Sequence, residues 1–494
     1  MDPTWRLSPK LMKRFYEPLV LLRVLAQVQG ERVNGGGIED TTVGDMTVAQ
    51  TRREVMQQLC VMGDFLNGGD TVTAIALENL PQGPRYWLAA NAQLEKIETF
   101  LTEVLGMLEA QASSIPHEDA FSALEHRLFN KFVDFHHRRI RKYWKLLQPC
   151  IKQELQRIDS AREGDLRAEE YSTWLRAYQS PLSDHRSSCE LTLLAYESRH
   201  SEFLRVAVDP LNARPTAFER DSTKTIRHYI GRLCAPKRAA VLLNRATQHH
   251  PTLFEGFSLQ CQSAGSMSAT PIPHAGLTLE GLSSRMFSTP LAEQTQFLEA
   301  LLSLDQKGSI LPRVRDQYRD RNWRPRVHAE LALLEVLSDR RVRFYDDDKY
   351  IACSKAACFC CYHYICAHQG AFVRPACHNK VYLNWKPPDL STHTVARYAQ
   401  QRDVMISLTT HIRQAVVDRV LRAQYGAKWH PDSSTGITAS VMDSNSRATD
   451  NDYEGASNLN SSDGDRRSSQ VSQQVSDSVT NESEDSEDGG VSLT

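Results

Sequence analysis

The sequence predicts a mixed α+β and α/β chain in three parts: an α-helical region over 1–210, a domain mixing helix and strand over 215–426, and a disordered acidic tail over 427–494. Three observations carry this. Apolar residues recur at helical spacing through the first part. Helix and strand patterns mix over 310–390. The last stretch is Ser-rich, acidic and almost free of aromatic residues.

The first part opens with PLVLLRVLA, which is short, is interrupted by Arg23 and lacks a small-residue cleavage site, so it reads as a core helix rather than a signal peptide. Leu94, Ile97, Leu101, Val104, Leu105 and Leu108 make one apolar stripe. A second long helix is expected after Pro116 through Phe121, Leu124, Leu128 and Phe132, running into HHRRIRKYWK (136–145). That stretch fits a nucleic-acid contact or a nuclear-import signal. It equally fits a solvated helix face with Ile140 and Trp144 turned inward, the common fate of charge runs. NGGGIED (34–40) and NGGDTVTAIAL (67–77) lack the spacings of phosphate-binding loops; the first reads as a loop, the second as a turn into a β-prone or helical segment.

Further helices are expected over Cys189–Val206, within 215–257, over 290–304 and from Thr394 to about Gly426, with SLQCQSAGSMSATPIPHAG as a loop. The tail from Pro431 carries 13 Asp and Glu against 3 Arg, leaving 55 basic and 47 acidic residues elsewhere. The folded part is therefore mildly basic, which is compatible with an anionic partner. No segment holds eighteen apolar residues without a charge, so no membrane partner is expected and the chain should reside in the reducing cytoplasm or nucleus.

Eleven cysteines are present, and five of them fall in the fourteen residues CSKAACFCCYHYIC (353–366), with Cys377 close behind. In a reducing compartment such density points to metal or chemistry more than to disulfides. Upstream, RVHAELALLEVLS places His328 and Glu330 at the start of an amphipathic helix. The strand DKYIAC and then a second helix, CFCCYHYICAHQ, follow. Cys358 and Cys361, at i and i+3, turn their sulfurs to one side. With His328 they make three ligands and leave a fourth place to water, while Glu330 can face that water. Three other readings stay open. The cysteines can be packed free thiols. Cys358, Cys361 and Cys377 with His378 or His368 can close a structural zinc site. Cys358 and Cys361 can form a redox disulfide.

H-x-E followed by C-x-x-C resembles the zinc deaminases of nucleobases. More narrowly, HAE…CSKxxCxxC with VRPACHNKVYLNWKPP downstream resembles the predicted nucleic acid/nucleotide deaminases found widely in fungal genomes, most strongly over the motif core 325–390. CVMGDFLNGGDTVTAIALE resembles the helical regions attached to them. The resemblance implies a cytidine-deaminase-like domain, a central sheet flanked by helices, for which local strand signals here are few. It implies Zn2+ held by His328, Cys358 and Cys361, with Glu330 shuttling the proton from a zinc-bound water to a nucleobase of a nucleotide or nucleic acid. Ser354 and Lys355 match its SK motif, expected at the mouth of the site as substrate contacts or as a helix cap. His378 and Trp385 match the downstream segment and are expected to line the pocket. Ala357 departs from the superfamily, which has proline there. A domain of this type can also serve without catalysis, as a zinc-stabilised interaction protein; Glu330 is the residue that speaks for an enzyme.

Overall fold

The hairpin TAIALENL-PQ-GPRYWLAA organises the molecule, because its alternating side chains face two different cores. The computed structural model describes residues 7–25, 32–36, 47–114, 118–160, 166–205, 217–287, 292–390 and 392–421; the acidic tail lies outside the described residues. Two helices, α1 (Pro9–Leu25) and α2 (Val48–Gly63), precede the hairpin strands β1 (Thr73–Leu80) and β2 (Gly83–Ala90). A helical run follows: α3 (Leu94–Ala112), α4 (Glu118–Phe135), α5 (His137–Asp159), α6 (Leu166–Arg176), α7 (His185–Ser198), the single turn α8 (Glu202–Arg205), α9 (Ala217–Leu233) and α10 (Ala235–His249). Strand β3 (Ser258–Ser263) returns to the sheet, and α11 (Leu279–Met286), α12 (Ala292–Gly308) and α13 (Ile310–Arg319) lead to α14 (Ala329–Asp339). The chain continues through β4 (Ile351–Cys353), α15 (Phe359–Ala367) and α16 (Val395–Leu421).

The strand order is β3-β2-β1-β4, with β1 antiparallel to both neighbours and β2 parallel to β3. Gly83 opens β2 at φ +134, and a Cβ there would meet Glu255 O at 2.4 Å and Gly256 O at 2.5 Å, so only glycine fits the turn. Ile75, Leu77, Tyr86 and Leu88 face one core, with residues of α2, α3, α4, α5 and α10. Ala74, Ala76, Trp87 and Ala89 face the other, with residues of α1, α14, α15 and α16. The alanines leave room for α14 to lie close across all four strands. That helix is apolar almost all round, and Leu331, Leu333 and Leu334 are fully buried.

Three expectations are corrected here. The region before residue 210 is not all helical: residues 73–90 form the two middle strands. SLQCQS is strand β3, not a loop. The helix expected to run from Pro116 through HHRRIRKYWK breaks at His136, which separates α4 from α5. The expected mixture of helix and strand is present, with four strands in one sheet among the described residues. No helix is long and apolar enough to cross a membrane among the described residues.

Candidate metal centre and active site

The centre forms where two helix starts meet over the sheet. His328 is the N-cap of α14, with extended backbone at φ −81 and ψ 149, so its ring leaves the helix rather than capping it. One of the orphan amides of that helix start is satisfied from the hairpin: the Ala329 N–H donates to Asn91 Oδ1 at 2.8 Å. Cys358 is the N-cap of α15, and its sulfur accepts from the Cys361 N–H at 3.4 Å. His328 Nδ1 lies 3.7 Å from Cys358 Sγ and 3.3 Å from Cys361 Sγ. One ligand atom from each residue lies within 4.8 Å of the others, and this is the one such His/Cys/Asp/Glu group among the described residues. Both cysteines are buried, and His328 is half-buried.

The electrostatics prepare a cation site. Burial opposes ionisation of Cys358, but the Cys361 side chain and the His328 ring outweigh it and bring this thiol down to about 6. Burial also opposes charge on His328, and the Cys358 sulfur outweighs it, raising the imidazole. Cys361 is pushed well up by burial and by the adjacent Cys358. One imidazole and two thiols brought this close can exchange their protons for a divalent cation. Cys361 Sγ also accepts from the Trp385 indole N–H at 3.3 Å.

Glu330 sits in the first turn of α14, where the helix dipole favours a carboxylate. It is 6% exposed, and its Oε2 is buried with no hydrogen-bond partner. Its charge acts on His328, Cys358 and Cys361, which places the carboxylate beside the group. The donor chemistry therefore fits a tetrahedral-preferring ion such as zinc: one imidazole, two thiols, and an orphaned carboxylate oxygen next to them.

Ser354 is 3% exposed and pinned to the sheet: its N–H donates to Thr73 O at 2.9 Å and its Oγ accepts from the Thr73 N–H at 3.2 Å. It therefore registers β4 against β1 and does not cap α15, a role held by Cys358. The Lys355 ammonium donates to Gly68 O at 3.0 Å, bracing the loop between α2 and β1. Trp385 is fully buried behind Cys361, packed against Phe15 and Tyr364, so it stands behind the cysteine and not on an open wall. His378 is 2% exposed; its Nδ1 accepts from the Lys380 N–H at 3.0 Å and its ring meets Tyr382 edge-on.

The rival structural site is not assembled. Cys377 lies outside the group, with its sulfur engaged by the Asn379 N–H and Oδ1 at 3.2 Å. His368 Nδ1 accepts from the Gly370 N–H at 3.0 Å. All eleven cysteines are free thiols, so the redox disulfide is absent as well. The departure at Ala357 has a physical reason: its N–H donates to Ala376 O at 2.8 Å, a bond proline cannot make.

Sequence reasoning missed Asn91, which lies at the end of β2 far from the motifs and has no local signal. It also missed the buried network behind the centre. The Tyr364 hydroxyl donates to Glu335 Oε1 at 2.6 Å, and Arg397 pairs with Glu335 and Asp339, tying α14, α15 and α16 together.

Residues 327–389 match a family model described as an OTT_1508_deam-like deaminase, so the two helix starts and the strand between them lie inside a deaminase-type segment. No curated protein and no solved structure matches the chain.

Proposed function

We propose, from the deaminase-type segment at 327–389, that the chain hydrolytically deaminates a nucleobase at a zinc centre held by His328, Cys358 and Cys361. The match supports the reaction class. The observation that carries the site is Glu330, a buried carboxylate with an unpartnered oxygen, two residues from His328. Leaving such a group unsatisfied costs about 1–3 kcal/mol, and a purely structural metal site has no use for it.

Zinc bound there supplies Lewis acidity, which acidifies water toward neutrality. Glu330 takes a proton from the attacking water and delivers it to the ring nitrogen. The hydroxide adds to the amine-bearing ring carbon; Glu330 then takes the remaining proton from the added hydroxyl and passes it to the exocyclic amine, the C–N bond breaks, ammonia leaves and a ring carbonyl remains. Trp385 holds Cys361 in place, and Cys358 is fixed by the helix start it caps. The substrate class is a cytosine-like or adenine-like base in a nucleotide or nucleic acid.

The test is metal content of wild type and His328→Ala side by side, followed by deamination assays on cytosine- and adenine-bearing nucleosides and oligonucleotides. About one zinc per chain in wild type and loss of most of it in the variant is expected. Unchanged zinc in the variant would sink the three-ligand site. Zinc-loaded wild type that deaminates none of the substrates would instead identify a zinc-stabilised interaction protein.

A further inference from the structure

HHRRIRKYWK divides cleanly in the structure. His136, Arg139, Ile140 and Tyr143 are buried and Trp144 is half-buried, its indole N–H donating to Tyr178 O at 3.2 Å. Arg138, Arg141, Lys142 and Lys145 are exposed, and Lys152, two turns further along α5, is exposed with them. At 100° per residue these five cations fall within an arc of about 100°. The other members of that arc are Pro149, Gln156 and, at the last residue of the helix beyond Lys152, Asp159, the one carboxylate among them. None of the five forms an ion pair among the described residues. The charged neighbours on the same helix are accounted for: Glu154 is buried and pairs with Arg157, and Asp159 pairs with Arg176.

The buried side of the same turn reaches the centre. Arg139 forms a buried ion pair with Asp64 at 3.2 Å and also bonds the Asp64 carbonyl. His136 Nε2 donates to Met62 O at 2.9 Å. Asp64 opens the loop whose Gly68 O accepts from Lys355, and whose Gly69 O accepts from Asn91 Nδ2 at 2.7 Å. Asn91 in turn holds the Ala329 N–H beside His328. The buried face of α5 and the start of α14 are thus tied to one loop through hydrogen bonds and an ion pair.

We propose that the exposed face of α5 is a track for the phosphate backbone of a single-stranded nucleic acid, which makes the substrate a polymer and not a free nucleotide. This rests on the deaminase reading above. A row of unpaired cations about 21 Å long, from residue 138 to residue 152, suits an extended polyanion and not a single phosphate. A single strand is favoured because chemistry on a base requires it outside the stack, and a strand already unpaired avoids the unstacking cost. The folded part's positive balance, 55 basic against 47 acidic residues before Pro431, points the same way.

The experiment is fluorescence anisotropy of a labelled 20-nucleotide single strand titrated with the full chain, across salt. Five phosphate contacts give a slope of about −3.5 in log K against log salt, or about 100-fold weaker binding between 50 and 200 mM. The variant Arg138→Gln/Arg141→Gln/Lys142→Gln/Lys145→Gln/Lys152→Gln should bind at least about tenfold more weakly with most of that slope gone. The double variant Arg138→Gln/Lys145→Gln, a smaller perturbation, should fall between, and circular dichroism melts should stay close to wild type for both. Wild-type binding in both variants overturns the proposal. So does equal affinity of wild type for an acidic peptide of charge −10 copied from residues 431–494, since that would make the stripe a protein-docking face. The readout is binding alone, so the stripe can fail while the metal centre stands, and the reverse.

Discussion

The indole Nε1–H of Trp385 donates to Cys361 Sγ at 3.3 Å, and both residues are fully buried. On the proposed ligand set, a neutral donor aimed at this sulfur orients it and tempers its charge, a role usually worth 10–100-fold in metal affinity. Trp385→Phe keeps most of the ring packing against Phe15 and Tyr364 but removes the donor. The expected outcome is a folded protein that yields its zinc to a chelator about 10-fold or more readily. Chelator competition with a zinc-responsive dye measures it, and an unchanged affinity would reduce Trp385 to a packing residue.

Glu330→Gln should separate catalysis from stability. The amide cannot accept and return a proton, so activity should fall by about 10²–10⁴-fold while zinc content holds. The buried oxygen that finds no partner is also relieved of its charge, so the melting temperature should stay level or rise. A variant that loses zinc, or that melts well below wild type, would show that the carboxylate holds the site together.

The trio was legible in the sequence because each half is local: H-x-E at one helix start and C-x-x-C at the next, with a short strand between. Proximity of His328 to the cysteines then needs only those two elements. Of the sheet, only DKYIAC read locally as a strand, and it holds β4. TAIALENL puts Ala74 and Ala76 toward α14, where small size matters more than strand propensity, and alanine signals helix as readily as strand. SLQCQS alternates with little burial, as an edge strand does, and its pairing with Arg85–Ala90 spans far more sequence than any local pattern reports. Asn91 escaped for the same reason, since its value lies in a contact with Ala329 across more than two hundred residues.

Cys377→Ser should leave the zinc in place. Its sulfur already trades bonds with Asn379, and its backbone N–H and C=O pair with Val33 at 2.9 Å in both directions, none of which the serine disturbs. Metal analysis of this variant beside Cys361→Ser discriminates directly: retention in the first and loss in the second is expected. Loss in both would revive a Cys377-containing structural site.

The alanine face of β1 sets how closely α14 approaches the sheet. Ala76 is fully buried in the core that holds Leu331 and Leu334. Ala76→Leu adds volume with nowhere to go and should destabilise by about 1–3 kcal/mol. Because α14 starts at His328, the proposed ligand, the same variant should also weaken zinc binding. Urea unfolding of the zinc-loaded protein tests the first effect and chelator competition the second; a neutral result would mean that α14 can shift outward without cost.

Acid should weaken the fold through His136. Burial, reinforced by the Arg139 charge, brings this imidazole from 6.5 down to about 3, and neutral Nε2–H donates to Met62 O. The unfolded chain takes up the proton below its ordinary value and the folded chain does not. The stabilising difference is therefore complete above about pH 6.5, shrinks as pH falls, and is gone once the pH passes below about 3. Each unit of that gap corresponds to about 1.4 kcal/mol. His136→Gln retains a donor for Met62 without titrating, so it should lower stability at neutral pH yet flatten the fall between pH 6.5 and 4. Urea unfolding of both proteins across that range gives the two slopes, and parallel lines would show that the buried histidine is not what acid attacks.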